Sequence, residues 1–188
     1  MRAFNEWLNR GEDFIVGFAL ALATIATFVE VIARYVFSAS VGTGGELAVF
    51  SIIWAAMIGA AVAARSGVHI GVDVLVKRLP AALAKGMVLL SLLVGAIFTF
   101  VVTLLGIQLV QLSFETGQVT NELLIPRWPL YASVPLGMAL MTYHLLQQFV
   151  AHLRKPAEDV VAGVGAEEAH AAQAEAETVG EHIEVRQT

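Results

Sequence analysis

Residues 45–73 constrain the fold of this chain more than any other stretch. An almost uninterrupted apolar run from Leu47 to Ala64 follows Glu46 and ends at Arg65. About eighteen residues rising about 1.5 Å each reach about 27 Å, close to the thickness of the hydrocarbon core of a bilayer. A carboxylate marks one boundary of the run and a cation marks the other. The segment therefore predicts a membrane-spanning helix.

The composition agrees with a membrane protein. Apolar residues make up 57% of the chain and charged residues only 14%, whereas soluble domains average about 25% charged residues. The chain contains no cysteine, which excludes disulfides and thiolate metal sites. The formal net charge of −5 arises in residues 156–188, which carry eight acids and one arginine and contain no aromatic residue. This composition predicts an acidic, disordered tail.

Further apolar runs predict an all-α integral membrane fold whose membrane domain covers residues 14–155. The four transmembrane helices are expected at about residues 14–37, 46–64, 86–107 and 129–151. In residues 1–13, apolar side chains share one helical face and predict an amphipathic N-terminal helix, with a short disordered start as the alternative. A helical apolar stripe from Val72 to Leu79 predicts a surface helix between helices 2 and 3.

Positive charge in the loops predicts the orientation of these helices. The connection 65–85 carries four cations, whereas 38–45 carries none and 108–128 carries one. Because cytoplasmic loops are enriched in Lys and Arg, we expect both termini and the 65–85 surface helix to face the cytoplasm.

Two sets of charged residues lie near predicted membrane boundaries. Glu30 and Arg34 are four residues apart, so they share a helical face and can pair, either as a structural pair or in a proton relay. Arg65, His69 and Asp73 would share one face of a helix. They are expected to fix the surface helix against neighbouring helices or lipid headgroups, with simple solvation as the alternative.

Small residues predict where helices approach each other closely. Such residues recur every fourth position in two of the spans, and the two stripes are Ala55-Gly59-Ala63 and Gly95-Thr99-Thr103. Trp128 stands before the fourth span, where aromatic side chains favour the membrane interface. Pro135 allows a local kink in that helix.

The sequence carries no pattern typical of an enzyme or a cofactor protein. A haem needs axial ligands on facing helices, and only His144 lies inside a predicted span. Phosphate-binding glycine loops, nucleophile elbows and paired carboxylates within one span are missing from the sequence, and its few cations do not support nucleic-acid binding. We therefore expect a non-enzymatic four-helix membrane subunit that binds no cofactor and works with a partner.

The order and spacing of several motifs resemble a known family, the small permease subunit of tripartite ATP-independent periplasmic (TRAP) transporters. The resemblance covers about residues 14–152. It is carried by Glu30-x-x-x-Arg34-Tyr35-x-Phe37, Glu46, Gly59-Ala60-Ala61, Arg65, His69-Ile70-x-Val72-Asp73, Gly117, Ile125-Pro126-x-Trp128-x-x-Tyr131 and Pro135-Leu136-Gly137. The chain departs from the family at Gly45-Glu46, where two consecutive acids are usual, and in its long Ala/Glu-rich tail.

The resemblance implies an inner-membrane subunit that braces a large permease subunit. In such systems a periplasmic substrate-binding protein captures an organic acid, and the large subunit moves it inward with an ion gradient, usually of sodium. The substrate and ion sites belong to the large subunit, so no binding residue is assigned here. Glu46, Glu115 and Glu122 are expected to help dock the periplasmic protein.

Two other classes of protein remain as alternatives. One is an autonomous small transporter that acts as a homo-oligomer, with Glu30 as its coupling acid. The other is a four-helix membrane enzyme, which would need a cofactor-facing cluster at the cytoplasmic side.

Overall fold

The computed structural model describes residues 2–36, 43–65 and 80–156, which form an all-α protein. The four helices are α1 (Arg2–Val36), α2 (Thr43–Arg65), α3 (Ala81–Glu115) and α4 (Trp128–Arg154). Within the described ranges, β-type pairing is confined to an isolated antiparallel bridge between Val119 and Pro126. The predicted all-α class is therefore confirmed.

Three helices are long and apolar enough to cross a bilayer. These segments are Asn5–Val36, Thr43–Arg65 and Ala82–Glu115. The fourth helix, α4, has 27 residues and is long enough, but His144, Gln147 and Gln148 lower the hydropathy of its second half. A fourth transmembrane helix therefore stays a prediction.

Helix α1 is continuous from Arg2 to Val36. The sequence suggested an amphipathic segment over 1–13 and a span from residue 14, and the structure joins the two. Thirty-five residues at about 1.5 Å each reach about 52 Å, well beyond a hydrocarbon core of about 30 Å. One end of α1 therefore extends past the apolar part of the membrane. The predicted surface helix between helices 2 and 3, and the acidic tail after Pro156, lie outside the described residues.

The chain divides into two compact units. The larger contains Met1–Ser66 with Gly95–Leu145, and the smaller contains Gly67–Val94 with Leu146–Thr188. In the smaller unit, the Lys85 ammonium donates to the carbonyl oxygens of Leu153 and Lys155, at 3.2 and 2.7 Å. A cation suits this position because the last carbonyls of a helix lack partners within the helix.

In the larger unit α1 packs against α2 through small side chains. The buried residues of α1 follow spacings of three, four or seven, and they are Glu12, Ala19, Ala23, Ala26 and Glu30. At the end of this seam, a Cβ on Gly44 would lie 3.1 Å from the Cβ of Glu30 and 3.2 Å from the Ala26 carbonyl oxygen. Residues of this size allow the two backbones to approach closely.

The predicted stripe Ala55-Gly59-Ala63 is wrong in its second half. Ala55 is buried, but a Cβ on Gly59 would meet no atom of another helix within 4 Å, and Ala63 is exposed. Four residues turn an α-helix by about 400°, which is more than one full turn. Side chains at every fourth position therefore move gradually around the helix and do not stay on the face that contacts one neighbouring helix. The buried face instead alternates steps of three and four through Ala48, Ser51, Ala55 and Ile58.

Helix α4 is packed closely against α2 and α3. A Cβ on Gly137 would lie 2.6 Å from the Met57 carbonyl oxygen, and one on Gly106 would lie 3.0 Å from the Pro135 ring. The Thr142 hydroxyl donates to the Thr99 hydroxyl at 2.8 Å, in a buried contact between α4 and α3. The outward faces of α1 and α3 expose large apolar side chains, as lipid contact requires; examples are Phe18, Ile25, Phe28, Phe98 and Leu105.

Candidate functional site: polar groups at the two ends of the bundle

Glu12, near the start of α1, is buried inside the bundle. Only 3% of this residue is exposed. One carboxylate oxygen lies 2.8 Å from Nε2 of His144 on α4, and the other lies 3.5 Å from a guanidinium nitrogen of Arg65 on α2. Because a buried charge is costly unless it is paired, these contacts explain how an acid is kept inside the bundle. Glu12 therefore links three helices.

Two further contacts lie beside these, and the first of them adds Asp13 to the group. The other terminal nitrogen of Arg65 donates to the Asp13 carboxylate at 2.9 Å. The Tyr143 hydroxyl donates to the side-chain oxygen of Asn5 at 2.9 Å. We call Glu12, Asp13, Arg65 and His144 the Glu12 cluster. It fixes the depth and rotation of α1 relative to α2 and α4.

The second polar region lies toward the other end of α1. Glu30 is eighteen positions after Glu12, which corresponds to about 27 Å along a helix and so to about one hydrocarbon thickness. Arg34 donates to the Glu30 carboxylate at 3.3 Å, so the pair suggested by their spacing is present. Glu30 is 7% exposed, whereas the Arg34 side chain is largely open. The two buried acids thus stand near opposite borders of the apolar part of α1.

Glu46, in the first turn of α2, holds the connection between α3 and α4. Its carboxylate accepts hydrogen bonds from the backbone N–H groups of Asn121, Glu122 and Leu123, at 3.2, 3.2 and 2.7 Å. Hydrogen bonds to an ionised acceptor are stronger than those between neutral groups. Three such bonds from consecutive residues therefore define the path of the loop.

This connection is a short hairpin, residues 118–127. The Thr120 N–H donates to the Ile125 carbonyl, and the Arg127 N–H donates to the Gln118 carbonyl, each at 2.9 Å. The Arg127 guanidinium also donates to the side-chain oxygen of Asn121 at 3.1 Å. We call residues 118–127 together with Glu46 the Glu46 hairpin.

The structure brings some of the residues singled out in the sequence to these two regions and leaves others apart. Arg65 belongs to the Glu12 cluster, and Glu46 belongs to the Glu46 hairpin. Glu115 and Glu122 are exposed, and Trp128 lies edge-on to Phe114 with ring centroids 6.4 Å apart. His69 and Asp73 lie outside the described residues, so the face they were predicted to share with Arg65 stays a prediction.

Sequence reasoning missed the partners of Arg65. Glu12 falls on the same helical stripe as Ala19, Ala23 and Ala26, and this stripe was the signal that could have placed it inside the bundle. His144 stood out only as a histidine inside an apolar segment. Their pairing joins positions 132 residues apart, and no local pattern encodes such a contact.

The chemistry of both regions is that of structural pairing. Within the described ranges, no group of three or more His, Asp or Glu side chains could hold a metal ion. In the Glu12 cluster, two carboxylates face one guanidinium and one imidazole, and each contact joins groups that can carry opposite charge. Such an arrangement holds helices together.

Comparison with known proteins assigns the family. A model of the family described as "Tripartite ATP-independent periplasmic transporters, DctQ component" matches residues 23–155, which is most of the chain. The matched range includes the later part of α1 and all of α2, α3 and α4. The chain belongs to this DctQ family. The family resemblance found in the sequence is therefore confirmed, and the DctQ family comprises transporter components rather than enzymes.

Two curated relatives agree with the DctQ assignment. The C4-dicarboxylate TRAP transporter small permease protein DctQ of Rhodobacter capsulatus is 29% identical over 170 residues, covering 74% of this chain and 75% of the relative. The protein of the same name from Vibrio cholerae is 29% identical over 194 residues, covering 90% and 83%. With three long apolar helices, this DctQ family member is a multi-pass membrane protein.

Proposed function

We propose that this chain braces the large permease subunit of a TRAP-type transporter in the bacterial inner membrane, with both of its termini in the cytoplasm. The transporter takes up an organic acid, of the C4-dicarboxylate class that the two relatives are named for. A periplasmic binding protein delivers the acid, and an ion gradient drives its uptake through the large subunit.

The Glu12 cluster is the observation that carries this proposal. A transport site needs ionisable groups that can exchange partners during the cycle, and such groups line a pathway. Here Glu12 is 3% exposed and lies within 2.8–3.5 Å of groups from two other helices. The Glu12 carboxylate is therefore bound to groups of two neighbouring helices and holds the bundle together. This suits a rigid support rather than a transport site.

The outer surface of the bundle also supports the proposal. Large apolar side chains on α1 and α3 face outward along both helices. Beside α2, an open apolar groove of about 470 Å³ is lined by α1 residues that include Leu20, Phe28 and Val31, together with Ile52 of α2. A bundle that is rigid inside and apolar outside can pack against another membrane protein through most of its length.

The proposal is tested by affinity purification of the chain from native membranes in mild detergent, followed by mass spectrometry. We expect a much larger multi-span protein in stoichiometric amount. A chain that purifies alone as a stable homo-oligomer would contradict the proposal and favour the autonomous transporter.

Uptake of radiolabelled succinate, a C4-dicarboxylate, provides the functional readout. Glu12→Gln should lower uptake and the yield of the complex together, because a loosened bundle supports its partner less well. Glu6→Gln, at an exposed position of the same helix, is the matched control and should leave both unchanged. Loss of uptake by Glu12→Gln with a fully intact complex would instead place Glu12 in the transport reaction.

A further inference from the structure

The tip of the Glu46 hairpin combines an uncommon backbone conformation with an exposed apolar side chain. Leu124 has a φ of +54°, in the left-handed region where glycine and asparagine are favoured over residues such as leucine. Its side chain is 71% exposed. A glycine would fit this backbone more easily, so leucine at this position calls for a use of its side chain outside the hairpin.

The tip is held in place from two sides. Glu46 accepts three backbone hydrogen bonds from residues 121–123, directly before Leu124. Directly after it, the Ile125 N–H donates to the Thr120 hydroxyl at 3.2 Å, and the Ile125 carbonyl accepts from the Thr120 N–H. The direction of the Leu124 side chain is therefore set by bonds on both flanks.

The same bonds place the tip beside the start of α2. Glu46 lies in the first turn of α2, whose apolar segment runs from Thr43 to Arg65. Because its carboxylate lies 2.7–3.2 Å from the amides just before Leu124, the tip lies beside the first turn of α2, at the end where the apolar segment of this helix begins. The apolar segment of α3 ends nearby in sequence at Glu115, and α4 begins at Trp128.

Several other side chains around this boundary are apolar or aromatic and exposed, alongside exposed polar residues such as Asn121 and Glu122. Ile125 is 41% exposed and Val119 is 50% exposed. Phe114 and Trp128, at the two helix ends that the hairpin connects, are 69% and 39% exposed and touch edge to face. Exposed aromatic and apolar groups at this depth suit the zone between lipid headgroups and acyl chains.

We propose that the tip of the Glu46 hairpin is a membrane anchor. Leu124 and Ile125 insert into the boundary between headgroups and acyl chains of the leaflet at the Glu46 end of α2. The occupant of this surface is lipid, because the tip is held beside the bilayer entrance of α2. The anchor is independent of the identity of the transported acid and of the brace proposed above.

Site-directed fluorescence tests the anchor, because the chain contains no cysteine and each introduced thiol is therefore unique within it. The dye is attached to the purified chain before it is combined with any other subunit. Leu124→Cys carries an environment-sensitive dye, and Glu122→Cys, exposed two residues earlier, is the matched control. The full chain, with any copurifying subunits, is placed in phosphatidylethanolamine/phosphatidylglycerol nanodiscs. Quenching by lipids brominated on the upper acyl chain is compared with quenching by aqueous iodide.

The anchor predicts opposite behaviour at the two positions. The dye at residue 124 should be quenched by bromines about 5–10 Å below the headgroups and protected from iodide, and the dye at residue 122 should be quenched by iodide. Equal iodide quenching at both positions would overturn the proposal. Protection of residue 124 from both quenchers would also overturn it, since a protein would then cover the tip.

Two further variants complete the test. Ile125→Cys gives the same readout if the Leu124 variant does not fold. Adding Glu46→Gln to Leu124→Cys should reduce lipid quenching and increase iodide quenching, because the tip loses its charged acceptor. Unchanged lipid quenching in that double variant would remove the role of Glu46 in setting the depth.

Discussion

The Glu12 cluster and the Glu46 hairpin use the same side chain for different purposes. Glu12 is buried and contacts the side chains of Arg65 and His144 on two other helices. Glu46 accepts hydrogen bonds mainly from the backbone amides of residues 121–123, with a further one from the Thr120 side chain of the same hairpin. The first carboxylate sets how helices stand against each other, and the second sets the path of a loop.

The difference follows from the partners available at each place. Within a helix, backbone amides are bonded to carbonyls of the same helix, so a carboxylate buried between helices needs side-chain partners that can carry positive charge. At the start of α2 the neighbouring hairpin turns sharply and leaves three consecutive N–H groups without helical partners. The comparison predicts that losing Glu12 affects the whole bundle and that losing Glu46 affects only the hairpin.

Glu12→Gln is expected to have the largest effect. Gln keeps one acceptor oxygen, but the substitution removes the buried carboxylate charge that faces His144 and Arg65, and Asp13 is then the one carboxylate of the cluster. We expect a loss of about 2–3 kcal/mol in unfolding free energy, below the full cost of breaking a buried pair because Arg65 is partly exposed and keeps Asp13. Equilibrium unfolding in detergent micelles measures this loss.

The control for this measurement is Glu6→Gln, on the exposed side of the same helix. Surface substitutions usually change stability by less than about 0.5 kcal/mol. Equal stability of both variants would mean that the Glu12 contacts contribute nothing net, and the contrast with Glu46 would then be lost.

Gly137→Ala tests the packing of α4 on α2, between the two polar regions. The new Cβ would lie 2.6 Å from the Met57 carbonyl oxygen and 2.8 Å from its carbon, so backbone must move. Overpacking of this kind costs about 1–3 kcal/mol, and we expect about 2 kcal/mol in the same unfolding assay.

Gly59→Ala on α2 is the matched control for this helix pair. No atom lies within 4 Å of a Cβ there, and alanine is favoured over glycine in a helix by about 1 kcal/mol. This variant should be as stable as the original chain or more so. If Gly137→Ala behaved in the same way, the close approach of α4 and α2 would be wrong.

Much of the fold follows from the sequence, because long apolar runs leave few alternatives to membrane helices. The continuity of α1 did not follow, since Glu12 and Asp13 interrupt the apolar pattern where the structure continues as helix. The Gly95-Thr99-Thr103 stripe predicted close packing, and Thr99 is indeed buried against Thr142. A stripe can mark a packing face, but it does not name the partner helix.

The two polar regions were predicted less well, for separate reasons. The Glu12 and His144 contact depends on tertiary structure, since 132 residues separate the partners. Glu46 was interpreted as a docking residue. Its actual partners are backbone amides, and the sequence does not show which backbone amides need an acceptor from a side chain. Whether Glu46, Glu115 and Glu122 also help to dock a periplasmic protein stays a prediction.

Glu46→Gln should have a smaller and strictly local effect. Gln keeps one acceptor oxygen but lacks the charge, so amide hydrogen exchange should become faster in residues 118–127 and stay unchanged in the helices. Glu115→Gln, exposed at the end of α3, should leave exchange in the hairpin as it is. Faster exchange throughout α2 and α4 would show that Glu46 stabilises the bundle, contrary to the comparison.

The smallest effect is expected for the hydroxyl pair of Thr99 and Thr142, which joins α3 to α4 between the two polar regions. Each hydroxyl also bonds to a carbonyl of its own helix, Thr99 to Gly95 at 3.0 Å and Thr142 to Met138 at 2.8 Å. Since these local bonds compete with the bond between helices, a double-mutant cycle with Thr99→Val and Thr142→Val should give a coupling of only about 0.6 kcal/mol. A coupling as large as the loss in Glu12→Gln would mean that the middle of the bundle is held by polar bonds as strongly as its Glu12 end. The division between polar ends and a seam held by packing would then be wrong.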